Sequence, residues 1–350
     1  MTDLASLTYT QLQDLMRRMG QAPFRAGQIF AWIARGADGF DCMSDLSSEL
    51  RSSLAENFSI AQMNAVRKLE DPADGTVKYL YELYDGALIE SAVMRYRHGS
   101  SVCISSQAGC RMGCRFCAST LAGKQRDLSS GEMLRQVIKA HAAHGISSVV
   151  VMGVGEPLDN YDNLLAFLDE LSDPRGMNMS LRHVSVSTCG IVDKIYDLAE
   201  RRLQLTLSVS LHAPDDATRD EIMPVNKKWN VAALMKACRY YAERTGRRIS
   251  FEYTLIRGLN DTPAHARALA ALVRGMNCHI NLIPVNYVPE RGLAPSGRRE
   301  TRLFYDILQR GHVTVTVRRT LGRQINAACG QLRLIGGAQP DVGAQTGIPR

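Results

Sequence analysis

The chain has 350 residues, of which 45% are hydrophobic and 22% charged, a balance that fits a globular protein with a large core and excludes a disordered one. Nothing approaches the ~18 consecutive apolar residues of a membrane span, and no basic head precedes an apolar run. The net charge of +7 suits a polyanionic partner, although a mildly basic solvated surface accounts for it equally well.

Nine cysteines, odd in number and scattered, do not read as a secreted disulfide framework, so the cytoplasm and a monomer without membrane attachment are expected. Residues 1–60 read as short helices. Leu12, Leu15 and Met16, then Phe24, Ile29, Phe30, Trp32 and Ile33, follow a helical period, with Gly20 and Gly36 as stops. This predicts an accessory helical domain. Residues 61–100 read as a β-hairpin linker, with strands over 78–84 and 87–94 around a turn at Asp85-Gly86.

From there strands and helices alternate. Candidate strands are 101–107, 147–152, 182–187, 204–210, 248–256, 278–284 and 312–318, and Ser129 to Glu132 is a capping box ahead of a helix. The pattern predicts an α/β fold with a full or partial (β/α) barrel over 101–335, a partial (β/α)6 barrel being the form expected, and 336–350 as a flexible tail.

The strongest chemical signal follows the first of these strands. Cys110, Cys114 and Cys117 are spaced C-x3-C-x2-C, which can hold three corners of an iron-sulfur cube and leave the fourth iron open. A zinc site completed by a distant ligand and plain unligated thiols are the alternatives. Other suspicious residues fall at strand ends, where barrels of this type gather chemistry: Gly153 to Pro157, Ser187, Ser210, Leu211, His212 and Asn286. Ser187 and Ser210 also read as ordinary strand-end hydroxyls, His212 as a structural histidine and Asn286 as a turn former. The G-x-G of 153–155 lacks the third glycine of a dinucleotide fingerprint, and no P-loop is present, which disfavours NAD and ATP. Arg115, Lys124 and Arg126 beside the triad, and Arg318, Arg319 and Arg323 near the C-terminus, could neutralise phosphates.

The cysteine loop followed by Gly-Glu-Pro resembles the radical S-adenosylmethionine superfamily. Residues 103–110, 152–157, 282–286 and 327–332 narrow the likeness to the RNA-methylating RlmN/Cfr family, over about residues 10 to 334. Departures are Val154, where methionine is common, and Asn326, where aspartate is usual, which puts a charge-based role for that position in doubt.

The resemblance implies a [4Fe–4S] cluster on Cys110, Cys114 and Cys117 and two molecules of S-adenosylmethionine per turnover. Gly155 and Glu156 would contact the methionine portion, the Glu156 carboxylate facing its ammonium, and Ser187, Ser210, Leu211, His212 and Asn286 would hold the rest. It further implies methylation of C2 of an adenine in 23S rRNA and in tRNAs, next to the anticodon on its 3′ side. Cys329 would be the methyl carrier, Cys103 its transient disulfide partner and Glu90 the proton acceptor, with a flavodoxin-like reductant. Read from the residues alone, Cys329 and Cys103 can also be buried small side chains, and Glu90 a solvated strand carboxylate. C8 methylation of 23S rRNA adenine, as in the Cfr branch, and a radical enzyme on a small metabolite are the competing readings.

Overall fold

The computed structural model describes residues 1–286, 288–319, 321, 322 and 325. Near the N-terminus, helices α1 (Tyr9–Arg18), α2 (Arg25–Ala34) and α3 (Ser48–Asn57) enclose their own apolar core around Leu12, Met16, Ile29 and Leu54. A two-residue pairing of β1 (Thr2–Asp3) with β2 (Phe58–Ser59) closes this unit. It docks on α4 (Ser130–His144), where the buried Arg135 donates to the Ala37 carbonyl at 3.0 Å and pairs with Asp38 at 3.1 Å. Gly131 makes the close approach possible, since a Cβ there would stand 2.6 Å from the Ala5 carbonyl carbon. The capping box is formed as expected. The Ser129 hydroxyl accepts from the Glu132 amide at 3.2 Å, and the Glu132 carboxylate accepts from the Ser129 amide at 2.9 Å.

One sheet of ten strands carries the rest of the fold. Its parallel part is β6 (Gly99–Cys103), β9 (Ile146–Val151), β10 (Val184–Thr188), β11 (Thr206–Ser210), β12 (Ile249–Leu255), β13 (Cys278–Pro284) and β14 (Val315–Val317), in that spatial order. The hairpin region is part of the same sheet: β5 (Leu88–Tyr96), β4 (Val77–Leu83) and β3 (Met63–Glu70) extend it antiparallel from β6. A small ribbon of β7 (Gln107–Gly109) and β8 (Lys124–Asp127) brackets the cysteine loop. Helices α5 (Tyr161–Ser172), α6 (Val192–Glu200), α7 (Asp216–Ile222), α8 (Val231–Thr245), α9 (Pro263–Leu272) and α10 (Arg298–Arg310) fill the connections.

The strands alternate in character, as period-two geometry requires when one face meets helices. Val184, Val186, Leu207, Val209, Phe251, Tyr253, Ile280 and Leu282 are fully buried in the apolar core. The opposite face carries Ser185, Ser187, Ser208, Ser210, Ser250, Glu252, Thr254 and Asn281, and several of these line the cleft described below. A barrel filled by branched aliphatic layers would leave no such polar wall.

Candidate active site

At the C-terminal ends of the parallel strands lies a cleft of about 1000 Å³, mouth included. It is lined by Cys110, Cys114 and Cys117 on one side and by Gly155, Glu156, Ser187, Ser210, His212 and Asn286 on the others. Nine of the residues singled out from the sequence thus share one wall.

The cysteine loop is pinned from below. The Arg115 amide, between the second and third cysteines, donates to the Ile222 carbonyl at the end of α7 at 2.9 Å. Thr120 presents its hydroxyl to the carbonyls of Cys117 at 2.9 Å and Cys114 at 3.3 Å, and itself accepts from Arg291 at 2.8 Å. Asp159 binds Gln107 at 2.9 Å, Lys124 at 2.9 Å and Arg111, which ties the loop after β9 to the ribbon of β7 and β8. Burial raises the Asp159 carboxyl, but the hydrogen bonds from Arg111, Lys124 and Gln107 more than reverse this and hold it below its usual value.

Burial pushes the Cys110 thiol up to about 12, with Cys117, Glu156 and Asp159 adding their charge. Cys114 is raised by burial and then by both other cysteines, so the three sulfurs sense one another across one space. Thiols in this state ionise when metal replaces the proton. Among the described residues no three His, Cys, Asp or Glu side chains converge on a single metal-ion position. The donor set is three soft thiols at C-x3-C-x2-C spacing, which suits a multi-iron core with one iron left open.

The loop after β9 approaches the cysteine ribbon at Gly155, whose φ is +109° and where a Cβ would stand 2.6 Å from the Cβ of Gln107. Only glycine fits there. The Glu156 amide donates to Gln107 Oε1 at 2.9 Å, while its carboxylate accepts from Leu158 at 3.0 Å and from Cys189 at 2.7 Å through their backbone amides. Both carboxylate oxygens therefore hold the loop in shape, a role additional to the ammonium contact expected of this residue. His212 is 3% exposed with φ +58°, accepts from the Thr254 amide through Nδ1 at 2.9 Å and meets the edge of Phe116. The Thr254 bond puts the ring proton on Nε2. Burial drops its pKa to about 3, so it is a neutral group in the cleft wall. Leu211 is the exception among the cofactor-binding candidates. Its side chain is fully buried in the core and does not line the cleft, and its carbonyl accepts from Arg219.

Glu90 and Cys103 occupy an adjoining surface. Cys103 opposes Ala92 across β5 and β6, and Lys78 opposes Ala92 from β4, so the three form a cross-strand row. Cys103 packs with Ala92, Met94, Val150, Met152 and Leu321. Met152 also lines the cleft, which joins the two sites. Glu90 lies two residues from Ala92 on the same face, 2% exposed, and its carboxylate meets the Lys78 ammonium at 2.7 Å. Burial raises the Glu90 carboxyl and Lys78 opposes it. Ser105 couples this strand to the cofactor loop, donating to the Glu90 carbonyl at 2.7 Å and accepting from the Val154 amide at 3.0 Å. Cys329, Asn326 and Arg323 lie outside the described residues.

Several participants had no sequence signal. Glu252 is buried in the cleft wall, bonded to Asn281 at 2.7 Å and Ser250 at 3.1 Å. Arg219 joins the strand-end segments after β10 and β11, and Lys78 and Arg291 act on their sites from distant positions in the sequence. Only the β-alternation around Glu252 and Lys78 could have hinted at which face they take.

A partial barrel with a three-cysteine loop on its first parallel strand defines the class, and the profile of the Radical SAM superfamily matches residues 104–269. That of the ribosomal RNA large subunit methyltransferase N-terminal domain matches residues 2–60. A protein of Lachnospira eligens described as a probable dual-specificity RNA methyltransferase RlmN is 51% identical over 95% of this chain and 96% of its own. One of the same description from Bacillus thuringiensis is 47% identical over 95% of this chain and 93% of its own. A crystal structure of a radical SAM methyltransferase from Sphaerobacter thermophilus superposes with a TM-score of 0.90 at 38% identity, covering 95% of this chain and 99% of the other.

The chain is thus a radical SAM enzyme. More narrowly, it belongs to the RlmN family of RNA methyltransferases, with a [4Fe–4S] cluster and S-adenosylmethionine as its cofactors and RNA as its substrate. No helix among the described residues is long and apolar enough to cross a membrane.

Proposed function

We propose that the protein methylates C2 of an adenine in 23S rRNA and in tRNAs, next to the anticodon on its 3′ side, acting as a cytoplasmic monomer fed by a flavodoxin-like reductant. Cys110, Cys114 and Cys117 hold the cluster, and Gly155, Glu156, Ser187, Ser210, His212 and Asn286 cradle S-adenosylmethionine, with Leu211 contributing through its backbone. When bound, the cluster and cofactor together supply a carbon radical able to abstract hydrogen from a methyl group, a chemistry the protein orients and shields.

Cys329 provides the methyl carrier. Its thiolate takes a methyl group from one S-adenosylmethionine by displacement, and the S-methylene radical formed from that group adds to the electron-poor C2. The adduct gives up one electron to the redox chain, and Glu90 removes the C2 proton. The Cys103 thiolate then attacks the Cys329 sulfur; the carbon–sulfur bond breaks with its electron pair passing to the methylene carbon, which takes a proton from solvent to become the methyl group, and a disulfide is left for external reduction. To reach the cleft the adenine must leave its stack, which loop RNA permits at low cost.

The observation that carries this reading is the patch around Cys103. A generic radical enzyme has no use for a buried thiol beside the cleft, packed against Leu321 of the C-terminal segment and facing the same way as a buried glutamate. Gly322 is anchored to Asp74 at 2.8 Å, and the seven peptide units from there to Cys329 span at most about 25 Å. Cys103→Ala should retain RNA addition and lose release, so that a covalent protein–RNA species accumulates on denaturing gels. Free, unmodified RNA with no such species would refute the disulfide step. Mass spectrometry of RNA from cells with and without the protein separates C2 from C8 products.

A further inference from the structure

We propose that Arg219 is the counter-cation of the iron-sulfur cluster, a guanidinium built into the barrel without an anion of its own so that the cluster's net negative charge completes the pairing and is easier to increase. A buried charge is costly unless it is paired. Arg219 is 0% exposed. It donates to the carbonyls of Leu211 at 3.0 Å, Cys189 at 2.7 Å and Ser210 at 3.1 Å, and to Asn226 Oδ1 at 3.0 Å. All four acceptors are neutral, and among the described residues no carboxylate stands within ion-pair distance of it. Asn226 passes the contact on to Asp216 at 3.1 Å and Asp220 at 2.7 Å, but both carboxylates are exposed and one amide removed. Glu156, also on the cleft, turns its oxygens to the backbone amides of Leu158 and Cys189.

The place of this cation matters as much as its isolation. Arg219 sits on α7, whose last residue, Ile222, accepts from the amide of Arg115 between the second and third cysteines. Cys189 and Ser210, whose carbonyls it holds, line the cleft with the three thiols. A cube held by three thiolates is net negative when oxidised and more so when reduced, so a fixed cation beside it favours the reduced form and raises the potential. A purely structural fork tying three loops together would leave the potential unmoved.

The test uses the full-length, anaerobically reconstituted protein, with iron and sulfide analysis to establish loading and an EPR-monitored redox titration to read the midpoint. In Arg219→Gln the reduced-to-oxidised ratio at a fixed potential should fall about tenfold, equivalent to 59 mV for a one-electron couple. Arg219→Lys should recover most of that fall. If Arg219→Gln does not fold, the isosteric Asn226→Asp carries the test, since a carboxylate there answers the guanidinium and should lower the midpoint in the same direction. An unmoved midpoint in Arg219→Gln, or in Asn226→Asp where that variant stands in, overturns the proposal, and so does a fall in Arg219→Lys as large as that in Arg219→Gln. The inference rests on the assignment of the cluster to Cys110, Cys114 and Cys117. Failure of the unaltered protein to load a cluster would refute that assignment and the inference with it, whereas loading with an unmoved potential refutes only the part played by Arg219.

Discussion

The cysteine loop and the Cys103 patch lie next to each other yet are built in opposite ways. The loop is held by a dense set of directional bonds from Arg115, Thr120, Asp159, Lys124 and Arg291. Around Cys103 there are apolar contacts with Met94, Val150, Met152 and Leu321, and the Lys78–Glu90 ion pair lies on the same face. Directional bonds fix a geometry to fractions of an ångström, while apolar packing tolerates sliding. The contrast teaches that the part which meets a small cofactor in one pose is held by directional bonds, and the part which on the proposed mechanism would meet a second sulfur is held by packing that can adapt.

Breaking the rigid side should cost most. Cys114→Ala should abolish both activity and the visible absorption of the reconstituted protein; a fully loaded cluster in this variant would remove Cys114 from the ligand set. Gly155→Ala introduces a Cβ 2.6 Å from Gln107 at a φ of +109°, so the cofactor loop must shift. A displacement of about 1 Å can cost 10²-fold in rate, and a loss of that order with iron content retained is expected. On the adaptable side, Lys78→Met leaves burial of Glu90 unopposed, which raises its carboxyl further. If Glu90 is the base, it works ionised, and the acid limb of the pH–rate profile should move to higher pH, with roughly tenfold lost per unit of displacement at any pH on that limb. An unmoved limb would remove Glu90 from proton transfer. The smallest effect should come from Asp159→Asn, about 1–3 kcal/mol of stability from the partners it leaves unmet. The Asp159 carboxyl is held below its ordinary 3.8, so its contribution is full above that pH and fades as acid titrates it. Denaturant melts of the variant should show less loss between neutral pH and pH 3 than those of the parent.

Much of this was legible in the order of residues. The strand positions, the capping box and the strand-end clustering of Gly155, Glu156, Ser187, Ser210, His212 and Asn286 follow from periodicity and local spacing, which the sequence displays directly. That the Leu211 side chain turns into the core, leaving only its backbone to the site, was not legible, because strand-end position does not reveal which way a side chain turns. The second role of Glu156 was not legible, because the sequence cannot show that the backbone amides of Leu158 and Cys189 bond to its two oxygens. Arg219 was invisible for a stronger reason. It lies in a short helix crowded with Asp216, Asp220 and Glu221, where an arginine looks like a surface partner, and only the tertiary fold shows it wholly enclosed. Lys78 likewise gains its meaning from the register that sets it opposite Ala92.

The alternation along the parallel strands has a practical corollary. Because cohesion resides on Val186, Val209, Phe251 and Leu282 while Ser187, Ser210 and Glu252 front the cleft, neighbouring positions on one strand answer to separate demands. Substitutions meant to retune the cleft can therefore be confined to every second residue of these strands, and libraries drawn from that half of the positions should keep their thermal tolerance.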